Sequence, residues 1–462
     1  MSTQVEQISA NVLNTSFQNF TQEKLANAKN RIIDVLGCII SGANAPGNLE
    51  LINLLKTGSG NGEAAILVHG GKAPARDAAM INSIMARSYD FEATQASVNG
   101  VLFPSHISGT TVPTALALGD AKDISGKELI TALLVGDDVA CRILAASGFG
   151  FAKGWDNVGT VNAFGATAIA GRLLKLNEKQ MQNAFGLILN QLAGSFEIIW
   201  DGSSGFKLLQ GLSARNGVFS AELAKLGWTG AKDAFFGKFG YFYLYSDAGT
   251  KNADLLVADL GKEYHSEVTY KPYPACRSNH DAIDCALSLV AQYDVAVDEI
   301  EQIILKVPAA ARNNFVGQPF VITDIPHIGA GFSMRFCVAN VLLRKSFTLE
   351  HLAESFIREP VIANLANKIE LVDLTESERK KVSVNMKVIM NDGREYTAEA
   401  SFAKGDPVLA PFSQEEIKQK FMNNVAYAKT ISEANAEKIL TMVGRLEEVE
   451  RISELIGLMS NN

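Results

Sequence analysis

The stretch "NAFGATAIAGRLLKL" (residues 162–176) decides how this 462-residue chain is read. Its apolar residues recur at helical spacing, and one face carries only alanine and glycine. Such a face lets a neighbouring helix come close, which predicts a central helix packed on all sides. "LSARNGVFSAELAKLG" (212–227) has the same character. Working outward, "EKLANAKNRIIDVLGCIISG" (23–42), "DAAMINSIMARSYDF" (77–91), "PTALALGDAK" (113–122), "GKELITALLVGDDVACRILAAS" (126–147) and "EKQMQNAFGLILNQLAG" (178–194) continue the pattern. Ser125 or Asp123 and Asn177 stand where N-caps belong, with acidic residues following in the first turn. The first part of the chain therefore reads as an all-helical domain.

The texture changes near residue 267. "IEQIILKV" (300–307) and "KVSVNMKVIM" (381–390) are β-branched and partly alternating, and "NDG" (391–393) signals a hairpin whose returning strand is "REYTAEASF" (394–402). Helical stretches intervene at "HDAIDCALSLVAQY" and "GFSMRFCVANVLLRK". After residue 403 the chain returns to helix. The expected fold class is mainly α, a large all-helical domain with a smaller α+β lid inserted before the C-terminal helices. The expected division is 1–266 helical domain, 267–403 lid, and 404–462 helices returning to the first domain.

Composition sets limits on function. Hydrophobic residues make up 47% and charged residues 20%, the balance of a globular protein with a large core. A net charge of −8 lacks the basic footprint that general nucleic-acid binding needs. No apolar run reaches a membrane span's length. The N-terminus lacks a basic region followed by an apolar one, so a cytoplasmic location is expected. The five cysteines are scattered and include no CxxC pair, which points away from a disulfide framework or structural zinc.

Three patches carry candidate chemistry. In "SYDFEATQASVNGVLFPSHISGTTVPTALA" (88–117), Asp90, Glu92 and Thr94 follow a helix, and His106 follows a Pro-Ser break. The stretch from Thr94 to His106 reads as a long loop rich in small polar residues, where sites tend to form. In "WDGSSGFKLLQGLSARNG" (200–217), Lys207 stands at a helix start after a Gly-Ser loop, a place suited to an anion. "KPYPACRSNH" (271–280) gathers Lys271, Cys276, Arg277 and His280 between stiff prolines. Each patch also has a plain structural reading, as loop caps, a snorkelling lysine and a helix start. No metal-ligand or dinucleotide pattern is present, so neither a metal nor another cofactor is expected.

Taken together, "YDFEAT…SHISG", "FGATAIAGRLLKL", "GFKLLQGLSARNGVFSAELAKLGWTG", "KPYPACRSNHDAIDCAL" and "GAGFSMRFCVANVLL" resemble the MmgE/PrpD family over nearly the whole chain. The resemblance implies 2-methylcitrate dehydratase or cis-aconitate decarboxylase-like chemistry, with an iminodisuccinate epimerase among the relatives. It implies a homodimer of helical and lid domains with a site in the cleft between them. It also implies that Asp90, Thr94, His106, Lys207 and Lys271 line the pocket and that the loop with Cys276 and His280 closes over it. The chain departs from the family in four ways: Glu92 stands where a second Asp or Asn is common, His106 precedes Ile107 instead of a proline, the segment from Thr94 to His106 is longer than in the dehydratase and decarboxylase members, and Cys276 falls where decarboxylase relatives have a histidine.

The residues agree with that chemistry. Proton removal alpha to a carboxylate builds an enolate dianion that needs nearby cations, for which Lys207, Lys271 and Arg277 are candidates. Asp90 and His106 are the candidate acid–base pair, in either order. The expectation is a metal-independent lyase of a small di- or tricarboxylate. An epimerase using the same pair, or a non-catalytic binding dimer, is the alternative.

Overall fold

The computed structural model describes residues 2–58, 62–149 and 151–460. The fold is mainly α, with a small α+β portion, as the sequence predicts. At its centre the helices Ala75–Arg87, Ser108–Lys122, Gly126–Ser147, Asn162–Leu173 and Phe206–Lys225 pack against one another. The small residues read from the sequence set the spacing. A Cβ on Gly165 would lie 2.8 Å from Gly136 O, and one on Gly217 would lie 2.6 Å from Ala166 Cβ. These helices meet backbone to backbone, so any larger residue there would push them apart. Ser125 caps the Gly126–Ser147 helix through Glu128 N, and Asn177 forms a reciprocal capping box with Gln180.

Buried apolar side chains gather into two main clusters. One draws on residues from Val5 to Tyr270 and again from Ile417 to Met459. The helix Gln414–Ala428 lies along Gln22–Gly42, and Lys420 pairs at 2.7 Å with Asp34, both buried. The other cluster runs from Ala275 to Ala398 and covers one four-stranded sheet. In that sheet Ile300–Val307 lies between Ile369–Asp373, which is parallel to it, and Val384–Met390, which is antiparallel. Glu395–Ala400 completes it through the 391–394 turn, where Gly393 takes φ 84°.

One expectation is corrected. The stretch after Thr94 is a hairpin, with strands Thr94–Val98 and Val101–Phe103 joined at Asn99 and Gly100. Both turn residues have positive φ, 52° and 77°, the backbone that an Asn-Gly pair favours. Val268–Thr269 adds a third strand, pairing Thr269 with Thr94. This short pairing brings the 271–280 segment to the residues around Asp90.

Candidate active site

The Ala75–Arg87 helix ends in a turn in which Asp90 N donates to Arg87 O and Asp90 takes φ 49°. Aspartate tolerates this left-handed backbone better than most residues. The turn aims Asp90 and Glu92 back at Arg87, which is itself buried. Arg87 Nη1 donates to Asp90 Oδ1 and, at 3.1 Å, to Glu92 Oε1. His106 Nδ1 lies 3.0 Å from both Glu92 Oε1 and Arg87 Nη1. Lys271 Nζ closes the group from below, 2.8 Å from Asp90 Oδ2 and 2.6 Å from Asp90 O.

Counting hydrogens assigns the imidazole. Arg87 Nη1 carries two, and the two carboxylates use both. Nδ1 of His106 therefore bears its own proton and donates it to Glu92 Oε1. Nε2 is left as a lone pair. Its neighbours are Thr94 Oγ1 at 3.4 Å, whose hydrogen goes to Ser105 O, and Asp90 Oδ1 at 3.7 Å. Burial, and then Arg87, lower the His106 pKa against the opposing pull of Glu92 and Asp90, so the ring is neutral near pH 7. Burial would raise Glu92, but Arg87, His106 and Lys271 hold it well below the usual carboxylate range. The result is a neutral imidazole oriented by a permanently charged carboxylate.

These groups form one pole of a cavity of about 490 Å³. Asp90, Thr94, His106, Cys276 and Arg277 all line it, alongside Arg87, Asp156, Asn157 and Asn314. Arg277 is fixed by donating to the carbonyls of Lys404 and Ala403. Burial raises the Cys276 thiol, which keeps it protonated. Aromatic side chains, including Phe151, Phe196, Trp200, Phe315 and Phe332, also line it. The lining thus comes from residues both before and after position 267.

Three expected residues lie off the lining. Lys271 is fully buried beneath Asp90 and meets the cavity only through that carboxylate. His280 is also fully buried, with Nε2 3.1 Å from Ala275 O, and burial followed by Arg277 pushes its pKa well down. Lys207 turns away, donating to Pro46 O at 2.6 Å and Asn48 Oδ1 at 2.7 Å. Burial lowers its pKa to about 8. The neighbouring Phe206, not Lys207, is the residue of that first turn that packs against Arg87, whose guanidinium carbon lies 5.1 Å from the Phe206 ring centre.

Sequence reasoning passed over Arg87, Asp156 and Asn157. Arg87 stands where any basic residue would suit a helix C-terminus, so its role was hidden. Asp156 caps Asn157–Thr160, and Asn157 Nδ2 donates to Pro104 O at 2.6 Å, bracing the His106 segment. Asp90, Glu92 and His106 also offer three ligand atoms within 4.8 Å of one another, a grouping able to hold a cation. Here the cation at its centre is a guanidinium, since Arg87 Nη1 contacts all three.

Comparison with known proteins follows the same lines. Human cis-aconitate decarboxylase is 25% identical over 401 residues, covering 84% of this chain and 79% of that protein. Cis-aconitate decarboxylase of Aspergillus terreus is 23% identical over 472 residues, covering 97% and 94%. The cis-aconitate decarboxylase-like protein oryM of Aspergillus oryzae is 21% identical over 459 residues, covering 94% and 93%. The sequence model of the MmgE/PrpD N-terminal domain matches residues 6–253 and that of the C-terminal domain matches residues 273–448, so the chain belongs to the MmgE/PrpD family.

Proposed function

We propose that the protein is a lyase that acts on a small di- or tricarboxylate, losing carbon dioxide or water, with His106 as the base and no metal in the step. The observation that carries this reading is the bare Nε2 of a neutral His106 whose Nδ1 proton is held by Glu92. In a dehydration, Nε2 takes the proton alpha to a carboxylate and an acid returns one to the leaving hydroxyl. In a decarboxylation, Nε2 first takes a proton from solvent and, as imidazolium, gives it to the carbon that carbon dioxide leaves, which returns the ring to its neutral form. Either route builds negative charge beside a carboxylate, and the Arg87 and Arg277 guanidiniums lie on the cavity to meet it. The names of the relatives favour carbon dioxide loss.

Asp90, paired to Arg87 and Lys271, is the second member of the acid–base group in this reading, and Lys271 acts by holding it. The 267–403 unit serves as the lid, and the working form is a homodimer. An epimerase remains the second reading, but inversion by two bases needs groups on opposite faces of one carbon. Asp90 Oδ1 and His106 Nε2 are 3.7 Å apart on the same pole, which favours elimination.

The test is an NMR screen of short di- and tricarboxylates in deuterated water, with the wild type and the His106→Asn variant. Loss of carbon dioxide or water that depends on His106 supports the reading. Deuterium uptake with no elimination would replace it by the epimerase, and full turnover by His106→Asn would remove His106 as base.

A further inference from the structure

The cavity has two unlike halves. Its cationic lining is two guanidiniums, Arg87 and Arg277. Arg87 already answers Asp90 and Glu92, while Arg277 has no ion pair among the described residues and contacts only neutral groups, the carbonyls of Lys404 and Ala403 and, at 3.4 Å, His280 Nδ1. Lys271 is neutralised beneath the floor by Asp90, and Lys207 is directed away. Among the described residues the lining offers no third cation for a third ionised carboxylate, and Asp90 and Asp156 on the same lining would repel one.

The other half is a continuous aromatic wall. Phe151 and Phe196 have ring centroids 4.5 Å apart, Phe196 and Phe315 5.9 Å, and Phe315 and Phe332 5.6 Å. Trp200 joins at 6.2 Å from Phe315 and is 45% exposed, a large apolar surface still facing water. The rings come from residues both before and after position 267, so closing the cavity over a ligand would dehydrate them together. A polar arm laid along these rings would lose its water to surfaces that offer it no hydrogen bond.

We propose that the preferred substrate is a dicarboxylate bearing an apolar third arm of about the size of a phenyl or branched alkyl group, and that Phe315 and Trp200 select for it. This rests on the carboxylic-acid reading of the site and narrows it. The two carboxylates go to the arginine half, with the acidic carbon facing His106. The apolar arm lies along the rings.

The test is binding of three unreactive acids that differ only in one arm: succinate, benzylsuccinate and tricarballylate. Dissociation constants are measured by calorimetry on the full chain, and no turnover is needed. Benzylsuccinate should bind the wild type roughly tenfold or more tighter than either other acid, the scale at which apolar pockets discriminate. Phe315→Ala should remove most of that preference while leaving succinate within about threefold, an order-of-magnitude bound for losing one apolar contact. Tricarballylate binding as tightly as benzylsuccinate would overturn the proposal, as would equal loss of all three acids in Phe315→Ala. Succinate binding without aromatic preference sinks the proposal alone. If none of the three binds, both the proposal and the carboxylic-acid reading beneath it fall.

Discussion

Replacing Glu92 by Gln tests the centre of the argument. The substitution keeps the side chain's shape and removes its charge. Arg87 keeps its pairing with Asp90, so the buried cation is not orphaned. The amide, however, can offer an N–H to His106 Nδ1, now 3.0 Å from Glu92 Oε1. That contact favours the opposite tautomer, with the proton on Nε2 and the lone pair turned away from the cavity. A general base is worth roughly 10²–10⁴ in rate. The Glu92→Gln variant should therefore lose about 3–5 kcal/mol of transition-state stabilisation in kcat/KM.

Two readouts separate this from a general loss of structure. Nitrogen-15 NMR of the imidazole should show the wild type protonated on Nδ1 and the variant on Nε2. The acid limb of kcat/KM should have its midpoint below 6.5 in the wild type, because burial and Arg87 lower His106. Glu92 pulls that value up, so its removal should move the limb further toward acid. A variant with kcat/KM within about threefold of wild type, far short of a base's usual contribution, would refute the assignment of His106 and Glu92.

Three further outcomes are expected. His327 is pushed down to about 4 by burial and by Lys207, so it stays neutral in the fold while the unfolded chain binds a proton as pH falls below 6.5. Its share of stability is present above 6.5 and lost as pH drops through about 4. Denaturant unfolding of His327→Gln should therefore lose about 2 kcal/mol less than wild type between pH 7 and pH 5. Gly217→Ala should cost about 1–3 kcal/mol by overpacking, read as a lower thermal midpoint, because its Cβ would meet Ala166. Lys420→Met should cost on the order of 3 kcal/mol, because Asp34 would be left charged and buried, and a loss under about 1 kcal/mol would contradict that pairing.

Local features were legible where one stretch of sequence contains its own reason. The Ala and Gly face of 162–176 foretold close helix contact because packing distance follows directly from side-chain size. The Asp-Gly turn at 392–393 reads as a hairpin, whereas the Asn-Gly pair at 99–100 carries the same signal inside a stretch that reads as a loop. Its flanking strands are only five and three residues long, too short for alternation to stand out. Side-chain direction was not legible. Phe206 and Lys207 are neighbours on one turn, and sequence does not say which of them packs against Arg87 and which turns to Asn48. Nor could a local reading join Lys271 to Asp90, 181 residues earlier, since only the two-residue Val268–Thr269 strand registers one against the other.

The returning C-terminal helix makes the same point about distance, and it bears on how the site holds its shape. Lys420 Nζ donates to Asp34 Oδ1 at 2.7 Å and to Phe91 O at 2.6 Å, and it sits 4.0 Å from the centre of the Phe91 ring. The other oxygen of Asp34 accepts from Ala93 N at 2.8 Å. The backbone on either side of Glu92 is thus pinned by one ion pair whose members lie 386 residues apart. Glu92 can then stay charged beside His106 without the loop relaxing to hydrate it, and Asp90 keeps its left-handed turn toward Arg87 and Lys271. A base of this kind needs its orienting carboxylate fixed to within a fraction of an ångström, which a free loop would not supply. The tail therefore helps to hold the site's shape, although none of its described residues lines the cavity at His106.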